Sequence, residues 1–390
     1  MSTAERTARR VAEEFTALYG TAPEGVWAAP GRVNLIGEYT DFNEGFVLPL
    51  ALPHTTVAAV ARRDDGLLRL HSADRPGGVT VLETAALAPG DGHGWAAYPA
   101  GVVWALREAG HPVGGADVHL ASTVPTGAGL SSSAALEVVT ALALDELYGL
   151  GLARPELARL AQRAENAFVG VPCGVMDQMA SACAAEGHAL FLDTRDLAYR
   201  QVPFDLDALG LRLLVVDTRV QHVLGDGAYA ERRAGCEAGA RALGVRALRD
   251  VPHEQLPTAL GRLTDEKVRR YVRHVVSDHA RVLRVVERLD AGDVRAVGPL
   301  LTEGHTSLRD DLRVSCAELD LAVEAALAAG ALGARMTGGG FGGSAVVLAE
   351  ASGPHGADEV AAAVGKAFAR AGAGAPGIFE AVPSAGARRL

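Results

Sequence analysis

Residues 125–136 read Pro125-Thr126-Gly127-Ala128-Gly129-Leu130-Ser131-Ser132-Ser133-Ala134-Ala135-Leu136. Two glycines and three serines run into an unbroken apolar segment, the pattern of a tight turn that opens a helix. Backbone N–H groups left free in a first helical turn, with the helix dipole behind them, favour an anion. Glycine lets the main chain come close, and serine hydroxyls can cap the helix or reach a metal ion. Alone, the stretch is equally an ordinary helix cap. Its surroundings favour the anion: residues 116–122 alternate like a strand, and the helix that follows runs to Tyr148 and stops at Gly149.

A phosphate bound here would need a neutralising charge. Lys267 and Lys366 are the only lysines, both in helical, solvent-facing patterns, and the pattern GxxxxGK[ST] is absent. The charge must come from arginine, the helix end and a divalent cation. An arginine stands in Pro30-Gly31-Arg32-Val33-Asn34-Leu35-Ile36-Gly37-Glu38-Tyr39-Thr40-Asp41-Phe42-Asn43, where polar residues and glycines interrupt an apolar neighbourhood. That stretch suits a polar pocket wall, or else a solvated loop with Arg32 paired to Glu38 or Asp41. Further on, Gly170-Val171-Pro172-Cys173-Gly174 breaks a helix at 154–168 and sets Asp177 in the first turn of the next. A carboxylate is favoured there by the helix dipole whether or not it has a chemical role. Near the end, Thr337-Gly338-Gly339-Gly340-Phe341-Gly342-Gly343-Ser344 lies between two strand patterns, which means backbone packed tightly against something.

The bulk of the chain sets bounds. Its 390 residues, 49% apolar and 22% charged, describe a globular chain of two domains or three, with a boundary expected near 206–210 and halves at 1–206 and 207–390. No apolar run approaches the roughly 20 residues of a membrane helix, and the N-terminus is charged rather than signal-like, so a cytoplasmic location is expected. Cys173, Cys183, Cys236 and Cys316 are scattered, as reduced thiols would be. No HExxH occurs, and His274 and His279 lack a metal-ligand frame. A net charge of −10 argues against a nucleic-acid surface but not against an anionic small molecule.

Periodicity predicts helices at 5–19, 96–109, 227–243, 254–290 (broken at Pro257), 293–310, 315–329 and 355–371. It predicts strands at 26–29, 47–60, 67–72, 188–193, 211–217, 345–348 and 378–382, with a hairpin turn at 62–66.

With its three motifs in order, the chain resembles the GHMP small-molecule kinases and, within them, the galactokinases. Residues 31–41 are similar to the galactokinase signature, 125–135 to the superfamily's phosphate loop and 337–343 to its glycine-rich third motif. His222 with Tyr229, and the segments 307–311 and 314–320, agree. The resemblance implies an α/β (α+β) fold of two domains, ribosomal-S5-like and then ferredoxin-like and helix-rich, with the active site between them and the final strand free to return to the first domain. It implies a chain that takes MgATP and D-galactose and phosphorylates the C1 hydroxyl; a monomer is expected, with an oligomer left open. Asp177 would be the base or hydroxyl orienter and Arg32 the stabiliser of the transferring phosphoryl. Glu38, Tyr39, Thr40, Asp41, Asp177 and Tyr229 would hold the sugar. Ser72, Gly127, Ala128, Gly129, Leu130, Ser131, Ser132 and Ser133 would hold ATP, with Ser133 and Glu165 on Mg²⁺. Tyr39 replaces a histidine common in the family and Phe42 a tyrosine, so recognition at the sugar's C6 hydroxyl is expected to differ. Alternatives are a GHMP kinase for another sugar, such as N-acetylgalactosamine or arabinose, or a non-catalytic sugar sensor on the same scaffold.

Overall fold

A computed structural model describes residues 3–221 and 225–390. The first half runs α1 (Thr3–Tyr19), β1 (Gly25–Asn34), β2 (Phe46–Val47), β3 (Pro49–Arg63), β4 (Leu67–Ser72), β5 (Thr80–Glu83), α2 (Ala97–Glu108), β6 (Gly115–Ser122), α3 (Ser132–Tyr148), α4 (Arg154–Arg163), α5 (Met176–Cys183), β7 (His188–Asp193) and β8 (Tyr199–Pro203). The second runs β9 (Leu211–Gln221), α6 (Gly225–Leu243), α7 (Leu256–Arg262), α8 (Glu266–Asp290), α9 (Val297–Ser307), α10 (Ala317–Ala328), β10 (Gly333–Thr337), β11 (Gly342–Glu350), α11 (Ala357–Arg370), β12 (Gly377–Glu380) and β13 (Arg388–Arg389). His222, part of the sequence resemblance, lies outside the described residues.

The strands form a six-stranded sheet ordered β13-β1-β3-β6-β4-β5, a four-stranded sheet β10-β11-β9-β12 and a small sheet β2-β7-β8. Helix α1 covers the large sheet with Val11 and Phe15, its i and i+4 apolar pair. On the other face α2, α3 and α4 enclose an apolar core with Leu106, Val138, Leu142 and Leu157.

The expected hairpin at 62–66 is not one. β3 and β4 are not paired with each other: β6 lies between them, antiparallel to β3 and parallel to β4. Seven of its eight residues are buried, so it needs a neighbour on each edge. Its buried Asp117 draws Arg63 from one side at 3.2 Å and Arg69 from the other at 2.6 Å. A second correction concerns Pro257, which stands in the first turn of α7 rather than breaking a long helix. The interruption falls at 263–265, where the Asp265 carboxylate caps α8 by accepting the Lys267 and Val268 N–H groups. The strand expected at 378–382 is β12, beside β9, while a further short strand, β13, pairs with β1.

No proline- or serine-rich linker divides the halves, and the structure supplies the reason. Leu35, Ile36 and Leu48 from the first half share one core with Val282, Val285 and Leu301 from the second. Just above that shared core lie the three motifs.

Candidate active site

The phosphate loop is shaped by its main chain. Gly127 (φ 77°), Gly129 (φ 71°) and Ser131 (φ 59°) all adopt left-handed conformations, which two glycines accept freely and the serine does not. The loop's carbonyls are fastened from behind by the other two motifs. Ala128 O accepts the Ser344 hydroxyl at 2.7 Å, Gly129 O the Arg32 Nη1 at 2.6 Å, and Leu130 O the Arg32 N–H at 3.1 Å. Because a trans peptide points its N–H away from its carbonyl, the N–H groups of 129–131 turn to the opposite side, an arrangement that suits an anion. Ala128 and Leu130 are themselves buried, so they offer backbone only. The glycines of the neighbouring motifs follow from this contact. A Cβ on Gly31 would come within 2.6 Å of Leu130 O, and one on Gly338 within 2.9 Å of Gly129 O.

Where this loop meets the rest of the site, Arg32 and Asp177 form a two-pronged ion pair. Nε donates to Oδ1 at 2.8 Å and Nη2 to Oδ2 at 2.7 Å. The Ser131 hydroxyl donates to the same Oδ2. Ser131 therefore does not cap α3 with its side chain, as a serine at that position is expected to; it helps to hold Asp177. Three donors fix the carboxylate while Oδ1 keeps a lone pair for a substrate hydroxyl. Arg32 spends three of its five N–H groups on Asp177 and Gly129, and two remain.

On the far side of Asp177 a cavity of about 420 Å³ is lined by Glu38, Tyr39, Asp41, Tyr229, Asp177 and the glycines of the third motif, among others. Asp41 lies over Gly174 so closely that a Cβ there would fall 1.6 Å from its Oδ2, which explains the glycine after Cys173. Burial, and then the nearby Asp177 carboxylate, push the Asp41 pKa up to about 6. Tyr39, Phe42 and Tyr229 meet as an aromatic trio, with the Tyr39 and Tyr229 rings 5.0 Å apart. Tyr39 has φ 66°, uncommon for a bulky residue, and its hydroxyl donates to Gly339 O at 2.6 Å. That proton is not free for a sugar; only the oxygen's lone pairs are.

Two of the expected sugar residues sit differently from the expectation. Thr40 is fully buried, outside the cavity, and its hydroxyl is spent on the Gly37 and Phe46 carbonyls at 2.8 and 2.7 Å. It closes the turn that carries Glu38 to Asp41, because a buried hydroxyl must find a partner and two carbonyls are at hand. Glu38 reaches the cavity wall, but Oε1 already accepts the Thr337 hydroxyl and the Gly338 N–H, and Oε2 faces Arg335.

Behind the phosphate loop, Ser133 and Glu165 come together, the hydroxyl bonding the carboxylate. Glu165 lies in a single π-helical turn, 164–169, a feature common at functional sites. A third carboxylate, Glu137 of α3, was not foreseen. It is fully buried, shares the Gln178 side-chain amide with Glu165 at 3.1 and 2.7 Å, and leaves Oε1 without a partner. Burial first, then mutual repulsion, raises the pKa of Glu137 well above the ordinary value, and burial with Asp177 raises that of Glu165. No group of three or more His, Cys, Asp or Glu side chains that could hold a metal occurs among the described residues. The donor set suits a Mg²⁺ ion carried by nucleotide phosphates and water, with one hydroxyl and one carboxylate from the protein.

A cleft of about 280 Å³ runs over 129–133 and shares Arg32, Asp177, Gly127 and Gly129 with the larger cavity. At its other end Ser132 and Ser133 also line a third cavity of about 210 Å³, together with Ser72, Arg75, Trp95 and Tyr98. Ser72 was foreseen; Trp95 and Tyr98 were not, since no spacing links residues at the start of α2 to β4. Three cavities thus lie in series, the first two joined through Arg32 and Asp177 and the last two through Ser132 and Ser133.

Known proteins share this sequence pattern and this fold. Residues 97–185 match the GHMP kinases N terminal domain and 285–370 the GHMP kinases C terminal domain, so fold and site define a small-molecule kinase of the GHMP type. Residues 13–62 match the galactokinase galactose-binding signature. The chain is 67% identical over 387 residues to a galactokinase of Streptomyces coelicolor, covering 99% of each, and 45% identical over 362 residues to one of Mycobacterium tuberculosis, covering 93% of this chain and 98% of the other. The crystal structure of Lactococcus lactis galactokinase complexed with galactose aligns with a TM-score of 0.94 at 31% identity, covering 98% of this chain and 100% of that one. A Methanococcus jannaschii mevalonate kinase, at 17% identity and a TM-score of 0.62, shares the fold alone. The chain belongs to the galactokinase family.

Proposed function

We propose that the chain transfers the terminal phosphoryl group of ATP to the C1 hydroxyl of D-galactose, giving galactose 1-phosphate and ADP. The observation that carries this reading is the series of three compartments, with the Arg32–Asp177 pair at the junction of the first two. Galactose lies in the cavity walled by Asp41, Glu38 and the aromatic trio. The triphosphate follows the nest at 127–133, and the base enters beside Trp95, Tyr98 and Ser72. Phosphoryl transfer passes through a loose, charge-rich transition state, so positioning and electrostatics do most of the catalysis.

Asp177 holds the attacking hydroxyl by its free Oδ1 lone pair and receives or orients its proton. Arg32 turns its two unspent N–H groups to the moving phosphoryl. Ser133 and Glu165 would hold Mg²⁺, and the ion would neutralise phosphate charge there. Burial and the nearby Asp177 carboxylate disfavour charge on Glu165, and a cation there would favour its ionised form, which supports that assignment.

The free thiols Cys173, Cys183, Cys236 and Cys316 suit the cytoplasm. No described helix is long and apolar enough to cross a membrane.

The test is ³¹P NMR of products formed from MgATP with galactose, talose, 2-deoxygalactose, arabinose, N-acetylgalactosamine and glucose. An anomeric phosphate on galactose, made faster than on the others, is expected. A phosphate at another position, or a better acceptor elsewhere in the panel, would overturn the assignment.

A further inference from the structure

Three fully buried ionisable side chains from the second half converge on the backbone of residues 35–38, and none of them lines the cavity. Arg335 of β10 donates from Nη1 to the Leu35 carbonyl at 2.8 Å, and its Nη2 is ion-paired with the Glu38 carboxylate. Asp278 of α8 accepts the Gly37 N–H on Oδ2 at 3.1 Å, while Arg281 holds its Oδ1 at 2.7 Å. His274, one turn earlier on α8, donates from Nε2 to the Glu38 carbonyl at 3.1 Å; a carbonyl can only accept, so that nitrogen carries the proton.

The segment they hold is one that needs holding. Gly37 (φ 99°) and Tyr39 (φ 66°) are both left-handed, and between them stands Glu38. Within the segment Thr40 and Asn43 bond the Gly37 and Tyr39 carbonyls, but the Gly37 N–H, the Glu38 carbonyl and the Glu38 carboxylate are met from the second half. A buried ion pair is also an indifferent way to stabilise a fold, since apolar replacements of similar volume often do as well. What the arrangement supplies is direction. The pins reach backbone groups of Leu35, Gly37 and Glu38 and the Glu38 side chain, in the segment that bears the residues facing the cavity. Room is even reserved for the guanidinium: a Cβ on Gly304 of α9 would lie 3.3 Å from Arg335 Nε.

We infer that Arg335 and His274, with Asp278, are positioning residues for the sugar, setting Glu38 and Tyr39 against the galactose cavity without touching the ligand. This rests on the cavity's being the galactose site. Sugar affinity then depends on the second half of the chain, while the nucleotide side, whose loop is fastened by Arg32 and Ser344, does not feel these pins.

Four quantities decide it for each variant: galactose Kd by calorimetry without nucleotide, KM for galactose, KM for ATP, and Tm. Wild-type galactose binding is the control for the site assignment, so its absence would count against that reading and not against the pins. Arg335→Lys keeps a charge but cannot serve Leu35 and Glu38 together, and His274→Phe removes the donor to the Glu38 carbonyl. Each is expected to weaken galactose about tenfold, the scale of one lost buried hydrogen bond, with KM for ATP within twofold. His274→Gln, whose amide N–H stands where Nε2 does, is expected to stay within threefold of wild type for galactose. Should Arg335→Lys fail to fold, the His274 pair decides alone. Equal losses for galactose and ATP, or a lowered Tm with galactose affinity unchanged, would reduce these residues to fold support and overturn the inference, as would His274→Gln weakening galactose as much as His274→Phe.

Discussion

Residues 127–133 and residues 35–45 line the two cavities that meet at Arg32 and Asp177, the proposed transfer site, and are built from different materials. The first presents main chain: three left-handed residues, carbonyls tied behind and N–H groups turned forward. The second presents side chains, Glu38, Tyr39 and Asp41, on a turn whose own polar groups are consumed by Thr40 and by charges from α8 and β10. Phosphate is the same in every nucleotide, so a backbone nest suffices for it. A sugar differs from its epimers by the direction of one hydroxyl, and a site that rejects an epimer needs side chains whose partners would be left unpaired.

If the two sides are independent and meet only at Arg32 and Asp177, damage at the junction should stop turnover and spare both ligands. Asp177→Asn keeps the shape and removes the proton acceptor; kcat should fall roughly 10²–10⁴-fold, with galactose Kd by calorimetry within threefold. Near-normal kcat would remove Asp177 from the chemistry. Next in size are two glycine substitutions that separate the sides. Gly338→Ala presses on Gly129 O at a residue with φ 82° and should raise KM for ATP more than KM for galactose. Gly174→Ala displaces Asp41 and should do the reverse. Overpacking of about 1–3 kcal/mol puts each effect between about fivefold and about 150-fold. Steady-state kinetics in both substrates show whether the preferences cross; parallel losses would mean that the two sides are not separable.

The pH dependence sharpens the sugar side. With the Asp41 pKa near 6, the carboxylate is ionised at neutral pH and gains a proton as pH falls through that value, losing a lone pair that a sugar hydroxyl would use. kcat/KM for galactose should therefore decline below about pH 6, and Asp41→Asn should lower the plateau and flatten that limb. A limb unchanged in the variant would assign it to another group. The raised pKa also means that the folded chain binds this proton more tightly than the unfolded one. The stability it contributes is present at acid pH and lost as pH rises through 6, so Asp41→Asn should raise Tm at neutral pH. The smallest effect is expected from Tyr39→Phe, which removes the bond to Gly339 O and about 0.5–1.5 kcal/mol of stability in thermal unfolding. KM for galactose should stay within threefold; a tenfold rise would show that the hydroxyl serves the sugar directly.

The same contrast explains what could be read before the structure. A backbone-built site leaves its mark locally, because glycines and serines must stand at fixed spacing, and 125–136 was legible for that reason. Arg32, Asp41 and Asp177 announced themselves as charges in apolar company. The partners of the sugar turn did not: Arg335 looked like a strand residue beside a glycine run, His274 and Asp278 like an amphipathic helix, Glu137 like one polar residue in an apolar helix. Each is meaningful only through a residue far away in sequence, and no period or spacing carries that. The β3–β4 hairpin was misread for the same reason, since the strand that separates them comes more than forty residues later. Thr40 was drawn into the site by its neighbours, when its hydroxyl was needed by the turn.

The central claim is that three compartments form one path with the transfer point between Arg32 and Asp177. A crystal structure of the chain with galactose and a non-hydrolysable ATP analogue tests it directly. The account predicts the sugar's C1 oxygen on Asp177, roughly 3–3.5 Å from the terminal phosphorus, with that phosphoryl against Arg32 and the base beside Trp95 and Tyr98. A different hydroxyl on Asp177, or a nucleotide lying outside the nest at 127–133, would contradict it.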